Sequence, residues 1–388
     1  MFKSRRSKLG HNPDYIFISC IIILVVFGLL MLSSASSDLG KIKFNDTYYY
    51  LKHQLFYGLS LGIAGFLFAF VTHYRFWQKI AVPLLLVNLL LLVLVFTPLG
   101  FSHSGANRWL SLGVFSIQPA ELLKISFIIY LAAWLSPSTS LRTGSKKEKG
   151  FYRQTNILSG YLPFLIICGL VGFLILMQPS TTTVVIIMAA GLLVYFVSGA
   201  RLSFVFGTIF LGLMALILVI SLTPYRLARV ETYLKTFFYG SEIVDPQSRG
   251  YHLEQAKIAI GSGGLWGVGF GKSTTKFKYL PEPISDSMFA VIAEELGFIG
   301  AIFLLGIFLL LFIRGIKIAK NSRDQFAKLT TLGFISIIAI QTFIHIAAIS
   351  GILPLTGVPL PFISYGGTAL AVFLTMSGII VNISKYTA

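Results

Sequence analysis

Residues 15–36 read YIFISCIIILVVFGLLMLSSAS, 22 consecutive residues without a charge between Asp14 and Asp38. An α-helix needs about 20 mainly apolar residues to cross the hydrocarbon core of a bilayer, so this stretch predicts a transmembrane helix. Lys3, Arg5, Arg6 and Lys8 precede it, as they would a secretory signal. Nine further apolar runs argue instead for an uncleaved anchor. They lie near 54–73, 80–97, 119–136, 158–177, 181–199, 202–222, 286–313, 330–350 and 365–383. The whole chain agrees with them. Of its 388 residues 55% are hydrophobic and 12% charged, against roughly 25% charged in an ordinary soluble domain, and the mean hydropathy is +0.82. A soluble globular protein is excluded. The expectation is an all-α polytopic membrane protein of ten transmembrane helices, forming one integral membrane domain over residues 1–388.

Orientation follows from Lys and Arg in short loops, which favour the cytoplasmic side. With the N-terminus inside, eighteen of the 31 basic residues fall in cytoplasmic segments, among them Arg75, Lys79, Arg201, Arg314 and Lys385, and the Ser-, Thr- and Lys-rich stretch 137–157 reads as a cytoplasmic loop. The short outer segments hold five: Lys41, Lys43, Lys52, Arg108 and Lys124. Both termini are therefore expected in the cytoplasm. The remaining eight lie in residues 223–285, expected as one long extracytoplasmic loop between helices seven and eight. That loop is long enough to escape the positive-inside rule, so its charges are available to a ligand.

Lys and Arg outnumber the 14 acidic residues, for a net charge of +17. On so apolar a chain that surplus points to anionic lipid or phosphate and not to nucleic acid. Cys20 and Cys168 both lie in apolar runs and read as packing residues, with no metal-ligand spacing around them.

Ionisable groups at span boundaries carry the functional signal, because burying a charge there is costly unless it is paired or hydrated. Four carboxylates qualify: Glu121, Asp286, Glu294 and Glu295. In Gln118-Pro119-Ala120-Glu121-Leu122-Leu123-Lys124 the spacing puts Glu121 and Lys124 on one helix face. A local ion pair is one reading; an anionic ligand offsetting the charge of Lys124 is the other. Just upstream, Arg108 beside Trp109 makes a phosphate clamp plausible at the outer interface. Asp286 follows Leu280-Pro281-Glu282-Pro283-Ile284-Ser285, where Ser285 or Asp286 could cap the next helix. A desolvated carboxylate at that position could also act as a general base near neutral pH. Glu294 and Glu295, eight and nine residues on, point to different faces, so both cannot face Asp286.

The glycine-rich run Gly261–Ser273 fails the nucleotide P-loop pattern, because Trp266 stands where Gly is required before Gly271-Lys272-Ser273. It suits instead a loop surface approaching phosphate or sugar. His345, inside the ninth run, reads as an interhelical contact. The Pro- and Gly-dense residues 351–367 predict a sharply turning, membrane-dipping loop.

Taken in order, these segments resemble the SEDS family of polytopic membrane proteins, which includes FtsW, RodA and SpoVE. The matching motifs are Gly105–Trp109, Gln118–Glu121 with Lys124, Gln178-Pro179, Tyr225-Arg226 with Arg229, and Ile258–Gly264. Leu280–Glu282 with Asp286, Glu294–Gly297 and Leu360–Gly367 complete the set. Gly267-Val268-Gly269-Phe270-Gly271-Lys272-Ser273 with Lys276 and Tyr279–Glu282 looks more like the FtsW branch than RodA. The chain departs from the usual family pattern at Ser180–Thr183, at Ile284-Ser285-Asp286-Ser287 and at His345.

The resemblance implies a peptidoglycan glycosyltransferase that polymerises lipid II at the outer face of the bacterial cytoplasmic membrane, at the division septum. Its implied partners are a class B penicillin-binding protein as transpeptidase and other divisome membrane proteins. Asp286 is the implied catalytic base. Arg108, Lys124, Arg226, Arg229 and Lys276 are expected to hold the diphosphate, with Glu121 orienting Lys124 or a divalent cation, and Trp109, Gln118, Glu282 and Ser364 completing the substrate-binding set. A RodA-like enzyme of elongation and a lipid II flippase are the competing readings. A flippase should carry ionisable groups along a path through the membrane, whereas these cluster at one face.

Overall fold

The computed structural model describes residues 11–103, 106–111, 116–136, 156–239, 249–278 and 280–387. Gly105, Tyr279 and most of the basic segment 137–157 lie outside the described residues. Each of the ten apolar runs is helical. In chain order they begin with α1 (Tyr15–Phe44), α2 (Tyr49–Val71), α3 (Ala81–Leu94), α4 (Pro119–Leu135), α5 (Ile157–Met177), α6 (Thr181–Val197) and α7 (Leu202–Ser221). After α8 (Pro224–Tyr239) and α9 (Arg249–Ser262) come α10 (Met288–Asn321), α11 (Gln325–Ile349) and α12 (Gly367–Ser384). Among the described residues seven helices, α1, α2, α5, α7, α10, α11 and α12, are long and apolar enough to cross a membrane, and α3 and α6 are shorter apolar helices. The chain is a multi-pass membrane protein.

Local chemistry sets the helix ends. The Asp14 carboxylate accepts the Phe17 amide at 3.0 Å to start α1, and Asn45 ends it in the left-handed conformation. Pro119, whose missing N–H is harmless in a first turn, opens α4. At one end of the bundle Arg314 pairs with Asp14 at 2.6 Å, Arg75 approaches Asp324 at 3.6 Å, and the Tyr74 amide donates to Asn382. Elsewhere Arg108 reaches Gln178 and Pro179, Arg226 reaches Leu176, Tyr233 reaches Ile352 and Ser364 reaches Ser285. α11 and α12 form the centre, whereas α7 has no buried residue, as a helix apolar all round facing lipid should.

Two features depart from a simple bundle of spans. A small antiparallel sheet, β1 (Gly100–His103), β2 (Ala106–Ser111) and β3 (Ser116–Ile117), runs in the order β1-β2-β3 with Phe101 opposite Trp109. And the described residues between α7 and α10 are largely helical. In α9, Leu253, Ala256 and Ala259 form a buried stripe at helical spacing against α10, which the interspersed Glu254 and Lys257 conceal in the sequence.

The glycine run has a structural task. α10 is broken at Gly297, whose φ of 67° and ψ of −167° are open only to glycine. The break leaves backbone groups without helical partners, and the run supplies them. Val268 and Gly269 amides donate to the carbonyls of Glu294 and Glu295, both at 3.0 Å, while Phe298 and Ile299 amides donate to Gly264 and Leu265 at 2.9 and 3.2 Å. The Val268 and Gly269 amides are therefore spent on the broken helix, while Leu265, Trp266 and Phe270 of the run stay exposed.

Candidate active site

Asp286 sits two residues before α10, on a turn fixed by its neighbours. The Glu282 carbonyl accepts amides of Ser285 and Ser287, each at 3.2 Å, and Glu282 itself is in the left-handed region with φ 46°. The Ser287 hydroxyl donates back to Pro281 O at 2.7 Å and meets His252 Nε2 at 2.7 Å. Ser287 is the N-cap residue, and its side chain makes no capping bond. Neither Ser285 nor Asp286 caps the helix, which leaves the Asp286 carboxylate to its surroundings.

Those surroundings favour its neutral form. Burial comes first, then the negative charge of Glu282; a hydrogen bond from Ser285 and the charges of Arg108 and Arg229 pull the other way, and the carboxyl is pushed up to about 6. Such a group is ionised at neutral pH yet basic enough to take a proton from a hydroxyl. Gly357 lies against it: a Cβ there would stand 3.2 Å from Asp286 Oδ2.

Three arginines lie at this end, two of them held by backbone carbonyls. Arg108, on β2, donates to Gln178 O at 3.0 Å and to Pro179 O at 2.6 Å. Arg226, on α8, donates to Leu176 O at 3.2 Å. Both thus use carbonyls at the negative end of α5, where cations are favoured, which explains the Gln178-Pro179 motif. Arg229 stacks over Tyr225, 5.3 Å from the ring centroid, and donates to its hydroxyl at 2.8 Å.

The other residues expected at the site are placed differently. Lys124 is enclosed in the bundle, 2.6 and 2.7 Å from the Glu121 oxygens and 2.7 Å from Gln341 Oε1. Lys276 is buried too, donating to Glu295 and Ser34 at 2.6 and 2.8 Å. Both ammonium groups are committed to internal partners because a buried lysine needs a counter-charge; neither presents itself to a diphosphate. Ser364 is a strut, donating to Ser285 O at 2.7 Å and accepting the Leu360 amide at 2.9 Å. Glu294 accepts from Ser273 and Thr275, so neither glutamate of the pair serves Asp286. Gln118 stands half-buried before α4, and Trp109 on β2 beside Arg108. His345 binds not a helix but the Val358 carbonyl, at 2.8 Å. Among the described residues no three His, Cys, Asp or Glu side chains gather as a metal site.

Sequence reasoning missed His252, Gln341 and Gly357. None carries a local signal: they reach the site only through α9, α11 and the loop after it.

The fold and site thus define a multi-pass membrane protein that places a carboxylate, Asp286, under the charges of Arg108 and Arg229 at one end of its helices. The chain belongs to the FtsW/RodA/SpoVE family, whose model, described as cell cycle protein, matches residues 14–388. It is 36% identical to stage V sporulation protein E of Bacillus subtilis (strain 168), over 97% of this chain and 98% of that one. Its identity to a probable peptidoglycan glycosyltransferase FtsW of Trichlorobacter lovleyi is 35%, over 96% and 93%. Among solved structures it resembles RodA of Thermus thermophilus, with TM-score 0.67 and 25% identity over 96% of each chain. A chain from a peptidoglycan synthase complex that coordinates polymerization and crosslinking gives TM-score 0.74 at 25% identity, over 96% and 97%.

Proposed function

We propose that this chain is a peptidoglycan glycosyltransferase that polymerises lipid II at the outer face of the bacterial cytoplasmic membrane, with Asp286 as general base. The observation that carries the reading is the placement of Asp286 on the turn before α10, with Gly357 against its carboxylate and the charges of Arg108 and Arg229 acting on it. In the reaction the 4-hydroxyl oxygen of the acceptor sugar bonds to the anomeric carbon of the donor. The bond from that carbon to the diphosphate oxygen breaks, the hydroxyl proton passes to Asp286, and undecaprenyl diphosphate leaves with its charge steadied by Arg108, Arg226 and Arg229. Trp109, Gln118 and Glu282 border the sugars, and the lipid-facing helices receive the polyprenyl tails.

Ten membrane crossings with both termini in the cytoplasm, in a single domain, fit this placement. The relatives named FtsW support a septal role, and the likeness to a chain of a peptidoglycan synthase complex supports a transpeptidase partner, which we take to be a class B penicillin-binding protein of the divisome. The test is polymerisation of purified lipid II by the purified chain, with and without a candidate transpeptidase and a chelator. Glycan strands are expected; translocation of labelled lipid II across proteoliposomes without glycan would favour a flippase.

A further inference from the structure

A chain of buried polar contacts runs from inside the helix bundle to the Asp286 turn. Lys124 directs its three N–H bonds at both Glu121 oxygens and at Gln341 Oε1, with the Phe373 ring 5.2 Å away. The Gln341 side chain is fully buried. Its carbonyl end accepts from an ammonium, so its amide end must face the other way, and Nε2 donates to Pro359 O at 2.8 Å. One helical turn on, His345 Nδ1 donates to the adjacent carbonyl, Val358 O. Two residues of α11 thus grip consecutive carbonyls of the 350–366 segment.

That segment in turn holds Asp286. Gly357 packs on its carboxylate, Ser364 donates to Ser285 O, and the Tyr365 amide donates to Ile284 O at 2.8 Å. We infer that Gln341 is a positioning residue for the glycosyl transfer: it ties the buried Glu121–Lys124 pair to the loop that seats Asp286, and Lys124 acts through it and not on the diphosphate. This rests on the reading of Asp286 as base. Gly357 of the loop covers one side of the carboxylate, and burial is the largest cause of its high proton affinity. Loosening the loop therefore lowers that affinity.

The experiment measures lipid II polymerisation by the purified full chain against pH for wild type, Gln341→Met, Lys124→Met and the double variant, with thermal unfolding to verify folding. Gln341→Met is expected to lower kcat by about 10–100-fold, the scale of an ångström-sized misplacement, with KM nearly unchanged and the acid limb moved to lower pH. Lys124→Met should behave alike, and the double variant should lose little more than either single one. Hydrogen exchange in residues 355–366 should rise in Gln341→Met. If Gln341→Met does not fold, Gln341→Asn, which keeps the amide but draws it back from Pro359, carries the same expectation. A raised KM with unchanged kcat in Lys124→Met, and losses that multiply in the double variant, would mean that Lys124 meets the diphosphate, overturning the inference. A folded Gln341 variant with wild-type kcat and pH profile overturns it as well. Full activity of Asp286→Asn would instead overturn the underlying reading, whatever Gln341 does.

Discussion

Replacing Glu282 with Gln tests the electrostatics of the site without touching its proposed base. With the Asp286 carboxyl at about 6, about half of the free enzyme is ionised at pH 6 and about a tenth at pH 5, so kcat/KM at pH 5 should be about a tenth of its plateau. An ordinary Asp at about 3.9 would be more than about nine-tenths ionised at pH 5 and would show almost no decline. Glu282 raises the proton affinity of Asp286 by like-charge repulsion. Removing that charge must lower it and move the acid limb to lower pH; each unit moved corresponds to about 1.4 kcal/mol between the two protonation states. Glu282 is exposed, so salt should shrink the difference between variant and wild type. Arg229→Gln carries the opposite sign, because the guanidinium favours the carboxylate, and its limb should move up. The assay is the initial rate of lipid II polymerisation, at low substrate, from about pH 4.5 to 8. An acid limb near 4, or a Glu282→Gln limb that stays in place or moves up, would refute the reasoning.

Asp286 should also cost stability. Its folded proton affinity is raised, so the fold is favoured most below the unfolded value of about 3.9 and that advantage is lost as pH rises through about 6. Asp286→Asn should therefore raise Tm at pH 8 and leave it unchanged at pH 4, as read by thermal unfolding in detergent. Lys276→Met strands Glu295, whose side chain is fully buried, and should destabilise by about 3–5 kcal/mol. Adding Glu295→Gln should return part of that loss, measured as recovery of Tm. Gly297→Ala puts a side chain at φ 67°, with its Cβ 2.6 Å from Leu265 O. It should cost at least about 1–3 kcal/mol and loosen the glycine run, seen as faster hydrogen exchange at Val268 and Gly269.

The spans were legible because hydropathy reports on the bilayer, whatever the neighbouring helices do. Asp286 and the arginines were legible because charge at a span boundary is scarce. What the sequence hides is what each charge meets. Lys124 looks like an anion clamp until Gln341, 217 residues away, takes up its third N–H. The glycine run looks like a ligand loop until the break at Gly297 supplies carbonyls for its amides. The Asp286 turn is met by His252 and Gly357, which enter from other elements. The sheet at 100–117 escaped because its strands are two to six residues long, too short for a period to show.

The central claim is that Asp286 takes the proton in glycan polymerisation. Its most direct test is the initial rate of lipid II polymerisation by purified wild-type protein and Asp286→Asn, with Tm recorded for both. The account predicts a loss of about 100-fold or more in the variant without loss of Tm at neutral pH. Wild-type polymerisation by folded Asp286→Asn would contradict it.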